Sequence, residues 1–274
     1  MRLKHFLILC YVAFGLGYFL YADIIEKQGY FIPSASKIDL LPVLSKTILT
    51  DSDYQIIYAQ TGIAKPIVQE LKLSPDFKNK MLNFQEHYLA PVTISSQRLA
   101  FFTQEDFIKN PDKTAMPAFD LAPYKNGYIF FTKSTHTMNW RHGHAGIVVD
   151  AKRKKTLEAL NPGTASIEQD ADKWRYYPTF KMMRLKNVEQ TVLDQIALYA
   201  STQLVNLPYD IVADKNQGSS PYATHCSLLV WQAFKPFGFD LDATGGLFVS
   251  PKNIASSPLL EVLQIYGFNP DEDW

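Results

Sequence analysis

The order of apolar runs between residues 127 and 238 most constrains the fold of this chain. Four short runs rich in β-branched and aromatic residues come first, a pattern typical of strands. They span residues 127–132, 144–150, 155–162 and 177–185. Two longer segments, 188–205 and 224–238, then place apolar residues at helical spacing. Strands followed by helices predict an α+β domain in which an antiparallel sheet packs against helices.

Residues 24–120 predict a mainly helical extension in front of this domain. Three segments there combine helix-starting residues with helical spacing: 51–62, 65–73 and 74–89. They contain no group of residue types suited to catalysis, and His87 is predicted to be an ordinary surface or boundary residue. The chain is therefore predicted to divide into an N-terminal segment (1–23), the extension (24–120) and the sheet-containing domain (121–274).

The N-terminus predicts a membrane-targeting segment. A short basic stretch, residues 1–4, precedes seventeen residues without a charge, 6–22, and Asp23 ends this run. The run is at the short edge for a membrane-spanning helix and slightly long for the core of a signal peptide. Because no clean cleavage site follows it, we favour an uncleaved signal anchor over a signal peptide. The basic start predicts that the rest of the chain is extracytoplasmic, either membrane-anchored in the cell envelope or secreted.

Charge and cysteine content narrow the functional classes. The 274-residue chain has 27 basic and 27 acidic residues, a balance that predicts no basic surface for nucleic acid. Its two cysteines are Cys10, inside the apolar N-terminal run, and Cys226. The exported part is therefore predicted to have one thiol and no internal disulfide. A lone thiol in an oxidising compartment is either buried or used.

Cys226 is the candidate nucleophile. The predicted helix 224–238 begins with Thr224 as a suitable N-cap, which places Cys226 in the first turn. Unpaired backbone N–H groups and the helix dipole favour a thiolate there, and the Cys226 amide can point at a developing oxyanion. A buried structural cysteine, the alternative interpretation, would more naturally lie in mid-helix on the apolar face.

His144 is the preferred base for this thiol. The sheet-containing domain has four histidines, at positions 136, 142, 144 and 225. His225 adjoins Cys226 at the predicted helix start, so its ring is expected to point about a third of a turn away. If both lie in the strand, His142 and His144 share one of its faces. An alanine and a glycine follow His144, which we interpret as room for a helix to approach closely.

Glu158 and Asn161 are the candidates for a residue that orients His144. Simple pairing of the strands 144–150 and 155–161 in a hairpin places Asn161 opposite His144 and Glu158 further in, and a bulge would shift this register. Glu158 lies in an apolar run, where a carboxylate is costly unless it is paired. A histidine partner would offset that cost and hold the imidazole in the tautomer that catalysis needs.

Four motifs, in this order along the chain, resemble the permuted papain-like hydrolases of the YiiX/YaeF type, which are relatives of the NlpC-type cell-wall peptidases. They are HAGIVVD (144–150), TLEALNPG (156–163), LPYD (207–210) and THCSLLVWQAFKPFG (224–238). In this permuted group the histidine and the polar residue precede the cysteine, as they do here. The resemblance covers about residues 125–262, half of the chain, and the segment SPKNIASSPLL resembles the closing loop of the family.

The resemblance implies a permuted papain-like (NlpC-type) domain and thiol chemistry on an amide, ester or thioester, without a metal or an organic cofactor. Cys226 would attack the carbonyl carbon and His144 would move the proton. Glu158 matches the polar residue of the family better than Asn161 does. The Cys226 amide and a second donor would hold the oxyanion. The candidates for oxyanion or substrate binding are Tyr209, His225, His142 and Asn161.

The substrate and even the reaction stay open at this stage. An extracytoplasmic address favours a cell-wall peptide, whereas the aromatic-rich composition and the membrane segment keep a lipid-linked acyl or amide substrate open. The same triad would also serve an acyltransferase or a lipid hydrolase. A zinc-dependent hydrolase would use His142 and His144 together with Cys226 and Glu158. A cell-envelope binding domain without catalysis is the remaining alternative.

Overall fold

The structure is a computed structural model that describes residues 7–17, 30–33, 36–137 and 140–274. Residues 7–17 are helical. From residue 36 onwards, the α-helices are α1 (Leu41–Leu44), α2 (Asp51–Thr61), α3 (Lys65–Leu71), α4 (Phe77–Leu89), α5 (Gln190–Gln203), α6 (Cys226–Phe234) and α7 (Pro251–Ala255). The strands are β1 (Thr93–Arg98), β2 (Thr103–Lys109), β3 (Ile129–Thr132), β4 (Thr135–Thr137), β5 (His144–Asp150), β6 (Lys155–Glu158), β7 (Ile167–Asp170), β8 (Phe180–Leu185) and β9 (Leu260–Tyr266). Short 3-10 helices span Ala171–Tyr176 and Lys235–Phe237.

Two antiparallel sheets organise these elements. The larger has the strand order β7-β6-β5-β3-β8-β9, and helices α5 and α6 pack against its central strand β5. The smaller has the order β1-β2-β4. The core includes a group of fully buried aromatic rings, Phe130, Trp174 and Phe180, that meet edge to face on the larger sheet. This arrangement confirms the predicted α+β class with an antiparallel sheet packed against helices.

The elements predicted between residues 127 and 238 are present with shorter ends. The four predicted strands correspond to β3, β5, β6 and β8, and the two predicted helices correspond to α5 and α6. Strand β6 ends at Glu158 because the chain then turns, and Asn161 accepts hydrogen bonds from Thr164 within that turn. Strands β4, β7 and β9 were not predicted from the sequence pattern.

The extension contains strands as well as helices. Its first half forms α1 to α4, as predicted, whereas β1 and β2 form a hairpin that pairs with β4. The prediction of a mainly helical extension missed this hairpin because β1, with the sequence TISSQR, is polar and largely exposed and has no apolar alternation. Helix α3 contacts β9, so the extension packs against the larger sheet. The domain division at residue 120 stays a prediction.

The predicted membrane segment, residues 6–22, lies only partly within the described residues. Among those residues, no helix combines the length and the apolar character needed to cross a bilayer. Residues 1–6 and 18–29 lie outside the description, so the signal anchor stays a prediction.

A bulge in the hairpin of β5 and β6 decides which side chains meet. The pairs are Ile147–Leu157, Val148–Thr156 and, on the other side of the bulge, Asp150–Lys155. The bulge shifts the register by one residue. Continued by one pair, this register places Glu158 opposite Gly146 rather than Ile147. Because a shift of one residue moves a side chain to the other face, Glu158 comes to the face that carries His144.

Candidate active site

Cys226 lies in the first turn of helix α6, as predicted, but it is the first residue of the helix because the cap is His225 and not Thr224. The backbone of His225 is extended, and its Nδ1 accepts the N–H of Leu228 at 3.4 Å. Thr224 is held one position earlier, where its N–H donates to the carbonyl oxygen of Pro208. Its hydroxyl donates to the carbonyl oxygen of His225 and does not cap the first turn.

The thiol of Cys226 is in a buried, cationic environment, and the residue is only 8 % exposed. Burial alone would raise the pKa of the thiol. Hydrogen bonds and charge interactions with His144 and His225 outweigh burial and hold the pKa of Cys226 well below its usual range. The first-turn position acts in the same direction, because the positive end of the helix dipole favours an anion. The surroundings of Cys226 therefore favour the thiolate over the thiol.

His144, the first residue of β5, connects Cys226 to Glu158. Its Nε2 donates to Glu158 Oε2 at 2.7 Å, and its ring stacks on Trp174 with 5.5 Å between the centroids. Because Nε2 is held by the carboxylate, Nδ1 is the ring nitrogen left for the thiol. Burial would lower the pKa of His144, but the contacts with Cys226 and Glu158 outweigh it and raise this pKa to about 9. The thiol and the imidazole thus form a thiolate–imidazolium pair.

Glu158 is fully buried, and both of its carboxylate oxygens have partners. Oε2 accepts the hydrogen bond from His144 and forms an ion pair with Lys173 at 2.7 Å. Oε1 accepts from Thr156 at 2.6 Å and from Trp174 Nε1 at 3.0 Å. Burial would raise the pKa of this carboxyl, but Lys173 and His144 outweigh it and hold the pKa at about 2. Glu158 is therefore charged and fixed in orientation, and it has the histidine partner that its apolar surroundings require.

Sequence reasoning missed Thr156, Lys173 and Trp174. Thr156 lies two residues before Glu158 on β6, so strand alternation puts both side chains on one face and was a usable signal. Lys173 and Trp174 come from the 3-10 helix that follows β7. No pattern in the sequence connects that helix to Glu158, because the contact depends on how the chain folds back after β7.

Asn161 lies apart from His144. Its backbone carbonyl and its side-chain oxygen both accept the hydroxyl of Thr164, at 2.7 and 3.1 Å, in the turn after β6. The bulge explains the difference from simple pairing, since a shift of one residue moves Asn161 away from the position opposite His144. Of the two predicted orienting candidates, the structure brings Glu158 to the histidine.

His142 lies beside this cluster but has other partners. Its Nδ1 donates to the carbonyl oxygen of Gly143 at 2.9 Å, and its Nε2 is 3.0 Å from the hydroxyl of Thr137. Burial lowers the pKa of His142, against an opposing effect of the charge on Cys226. Burial thus favours the neutral form of His142, whereas the partners of His144 favour its cation, although the two residues look alike in the sequence.

A zinc site on His142 and His144 would need ring nitrogens free to face one ion. All four of their ring nitrogens already have partners: those of His142 are Gly143 and Thr137, and those of His144 are Glu158 and Cys226. Within the described ranges, no group of three or more histidine, cysteine, aspartate or glutamate side chains is placed to hold a metal ion.

Tyr209 and His225 both lie near the thiol. Tyr209 pairs with Thr224 in a parallel bridge just before the helix. Burial, together with the negative charge of Cys226, raises the pKa of its phenol, so the hydroxyl keeps its proton. His225 hydrogen-bonds to Cys226, contrary to the expectation that its ring points away. The expectation was wrong because His225 is an extended cap residue and not part of the helical turn.

Gly146 is required by the carboxylate and not by the cysteine helix. A Cβ at this position would lie 2.8 Å from Cγ of Glu158 and 3.1 Å from the ring of Trp174. Real Cβ atoms essentially never come as close as the first of these contacts, so a side chain at this position would displace Glu158. This corrects the interpretation that the glycine after His144 leaves room for a helix.

Comparisons with known proteins add two similarities. No protein-family model matches the sequence. The uncharacterized protein YycO of Bacillus subtilis strain 168 is 32% identical over 135 residues, which are 48% of this chain and 52% of YycO. The chain thus spans about half the length of this curated relative. The metalloprotein yiiX from Escherichia coli O157:H7 is a structural neighbour with a TM-score of 0.40 and 16% identity, over 50% of this chain and 95% of yiiX. The YiiX/YaeF-type, papain-like and NlpC-type assignments stay predictions.

Proposed function

We propose that this protein is a cysteine hydrolase that cleaves an amide bond with Cys226, His144 and Glu158. The observation that carries the proposal is the buried series of hydrogen bonds from Glu158 through His144 to Cys226. A carboxylate, an imidazole and a thiol in this order make an activated nucleophile with its own proton carrier. The chemistry needs neither a metal nor an organic cofactor.

The reaction divides into two acyl transfers. The Cys226 thiolate attacks the carbonyl carbon, and the carbonyl π electrons move to the oxygen. When this intermediate collapses, the C–N bond breaks and the His144 imidazolium gives its Nδ1 proton to the leaving amine. Water then attacks the thioester while neutral His144 takes a proton from it, and Cys226 leaves as a thiolate. Glu158 holds the Nε2–H throughout, so the proton that moves is the one on Nδ1.

Two groups are suited to hold the oxyanion. The N–H of Cys226 belongs to the first turn of α6, where backbone donors have no intrahelical acceptor. The hydroxyl of Tyr209 keeps its proton beside the thiolate and supplies the second donor. On this assignment, Tyr209→Phe lowers kcat by about 100-fold, the usual effect of removing one such donor.

We further propose an extracytoplasmic location, with the N-terminal segment at the membrane and a cell-wall peptide as the substrate. The basic start, the uncharged run and the lone thiol outside that run support this location. The resemblance to the relatives of cell-wall peptidases supports the substrate. The balanced charge gives no reason to propose a nucleic-acid partner.

The deciding experiment incubates the purified protein with peptidoglycan fragments and follows released products by mass spectrometry. The wild type should release amine products, and Cys226→Ala should release none above background. His136→Ala, which changes a buried histidine of the other sheet, is the matched control and should keep the wild-type rate. Full release by folded Cys226→Ala would end the thiol mechanism.

One observation favours a second candidate, a lipid-linked acyl substrate on the same three residues. Two loops beside the cysteine helix carry exposed apolar side chains: Ile211, Val212, Tyr222, Leu247 and Phe248. The loops join through the N–H of Lys215 and the carbonyl oxygen of Leu247, and Val249 accepts a hydrogen bond from Ser227, next to Cys226. Faster cleavage of acyl-lipid esters than of peptide amides, or acyl transfer to an added amine, would favour this candidate.

A further inference from the structure

The segment 268–274 packs against the larger sheet on the face opposite His144. Thr132 of β3 is the register partner of His144, so their side chains share one face of the sheet. Adjacent residues of a strand point to opposite faces, which puts Phe131 on the other one. The ring of Trp274 meets the ring of Phe131 edge to face there, with 6.4 Å between the centroids. The segment thus lies behind the strand end that carries the imidazole.

Two buried lysines of the sheet region hold this segment. Lys181, on β8 and 2 % exposed, donates from its Nζ to the carbonyl oxygens of Asp273 at 2.5 Å and of Glu272 at 3.4 Å. The Nζ of Lys133 lies 5.8 Å from the centroid of the Trp274 ring. Burial lowers the pKa of Lys133 to about 8, and the charge of Glu272 acts against this shift. The two ammonium groups, which the proposed reaction does not use, therefore anchor the segment to the sheet.

The indole of Trp274 lies directly against Gly143, the residue between His142 and His144. A Cβ on Gly143 would be 2.8 and 3.0 Å from two carbons of this indole and 2.7 Å from the carbonyl oxygen of Thr132. The backbone of Gly143 is left-handed, with a φ of 77°, a conformation that glycine adopts without strain. Gly143 thus occupies a gap between the indole and β3 that is too narrow for a side chain.

The conformation of Gly143 sets the positions of both neighbouring histidines. Its N–H donates to the carbonyl oxygen of Thr135 at 3.0 Å, and its own carbonyl oxygen accepts from His142 Nδ1 at 2.9 Å. His144 follows as the first residue of β5. Because glycine has no side chain to restrict its backbone, hydrogen bonds and the wall beside it must keep this turn in one conformation. Trp274 is that wall.

We infer that Trp274 is a positioning residue of the active site: its indole holds the Gly143 turn from behind and thereby aims the imidazole of His144 at Cys226. This inference rests on the proposed function and adds a residue outside the series of three. A hydrogen bond between imidazole and thiol needs the two groups within about 3 Å, so a small rotation at Gly143 weakens it. The indole is only partly buried, so its removal leaves the buried core of the sheet in place.

The test compares Trp274→Ala with Trp274→Phe in the full chain carrying Cys10→Ser, in which Cys226 is the remaining thiol. The rate of alkylation by iodoacetamide is measured over a series of pH values spanning about 4 to 9. In Trp274→Ala, the proton concentration that halves the maximal rate should fall about tenfold, because a misaligned imidazolium stabilises the thiolate less. Trp274→Phe keeps a ring against Gly143, and the same proton concentration should change by less than about threefold.

The matched control is Tyr199→Ala, which removes another partly buried aromatic ring, one that packs on Phe237. Both alanine variants should lower the melting temperature, but only Trp274→Ala should move the pH profile of alkylation. If Trp274→Ala does not fold, Trp274→Leu replaces it, since leucine keeps apolar bulk but not the flat wall. An unmoved profile in the folded Trp274 variant, or an equal movement in Tyr199→Ala, would overturn the inference.

A second measurement does not depend on the thiol. In Cys226→Ala protein, the Nε2 proton that His144 donates to the buried Glu158 should give a nuclear magnetic resonance signal, identified by its loss in His144→Ala. Adding Trp274→Ala should shift or broaden this signal, and adding Tyr199→Ala should not. An unchanged signal would reject the positioning role even if Cys226 is a nucleophile. A changed signal together with an inert Cys226 in the wild type would reject the hydrolase and leave the positioning role standing.

Discussion

Each of the two sheets contains a buried histidine–carboxylate pair, and the two pairs differ in what lies next to them. In the larger sheet, His144 Nε2 is 2.7 Å from Glu158. In the smaller sheet, His136 Nε2 is 3.2 Å from Asp106. In both cases burial opposes ionisation of the carboxyl but hydrogen bonds and nearby cations hold its pKa at about 2. The carboxylates are thus equally charged, and their chemistry is decided by the neighbours.

The neighbours of the two pairs lead to different roles. Asp106 also accepts hydrogen bonds from Arg141, a permanent cation, and from the hydroxyl of Ser96. The further partners of the His136–Asp106 pair are therefore structural. His144 instead has one ring nitrogen on Glu158 and hydrogen-bonds to Cys226 as well. A buried histidine–carboxylate pair is therefore a way to hold charge inside a sheet. It becomes a candidate active site where a thiol completes the series.

The largest expected effect is on the reactivity of Cys226 when His144, and not His136, is removed. His144→Ala should slow alkylation by iodoacetamide at pH 6.5 by about 100-fold, because the thiol then keeps only the influence of His225 and the helix against burial. His136→Ala should change this rate by less than about twofold. The measurement is the pseudo-first-order rate of modification, with folding of both variants checked by melting temperature. Similar slowing in both variants would mean that the two pairs do not differ as argued.

The pH dependence should separate the two members of the thiolate–imidazolium pair. The pKa of His144 is raised to about 9, so the imidazolium that protonates the leaving amine is present below that pH and is lost above it. We expect kcat/KM to fall as the pH rises through about 9 while alkylation of Cys226 does not fall. At pH values below about 8.5, the ordinary pKa of a thiol, kcat/KM and the alkylation rate should both stay high. The reason is that the pKa of Cys226 is well below that value. A value of kcat/KM that rises with pH through 9 would contradict the assigned protonation states. As the control, His136→Ala should leave the pH profile of kcat/KM unchanged.

The same comparison shows how much of the candidate site can be predicted from the sequence. Cys226 was predicted from its place at a helix start and Glu158 from its placement in an apolar run, and the structure brings both to His144. The bulge that selects Glu158 over Asn161 leaves no mark in the alternation of apolar residues. Lys173, which shares the carboxylate of Glu158, also escaped prediction because its position depends on contacts distant along the chain. Periodicity predicts elements and faces, whereas register and long-range ion pairs are settled by packing.

Removing each carboxylate should give opposite rankings for stability and for reactivity. Asp106→Asn leaves Arg141 buried and unable to lose its proton, so we expect a loss of about 3–5 kcal/mol in unfolding free energy. Glu158→Gln should cost less, about 2 kcal/mol, because His144 can deprotonate and Lys173, whose side chain is partly exposed, can turn to solvent. Only the latter variant should slow alkylation of Cys226. Urea unfolding measures the unfolding free energy, and a parallel assay measures the alkylation rate of Cys226. If the same variant showed the larger effect in both measurements, this account would be contradicted.

The smallest expected effect tests whether the orientation of the carboxylate matters as well as its charge. Trp174→Phe keeps a ring for His144 to stack on but removes the N–H donor to Glu158 Oε1, leaving that oxygen to Thr156. We expect a loss of about 1 kcal/mol in unfolding free energy and alkylation slowed by a few-fold. Ser96→Ala removes one neutral donor from Asp106 in the same way, and it should cost about as much stability with no change at Cys226. If Trp174→Phe also leaves the thiol unchanged, the charge of Glu158 suffices and its exact orientation does not contribute. If it slows alkylation as Glu158→Gln does, the four-donor arrangement around Glu158 is part of how the thiolate is maintained.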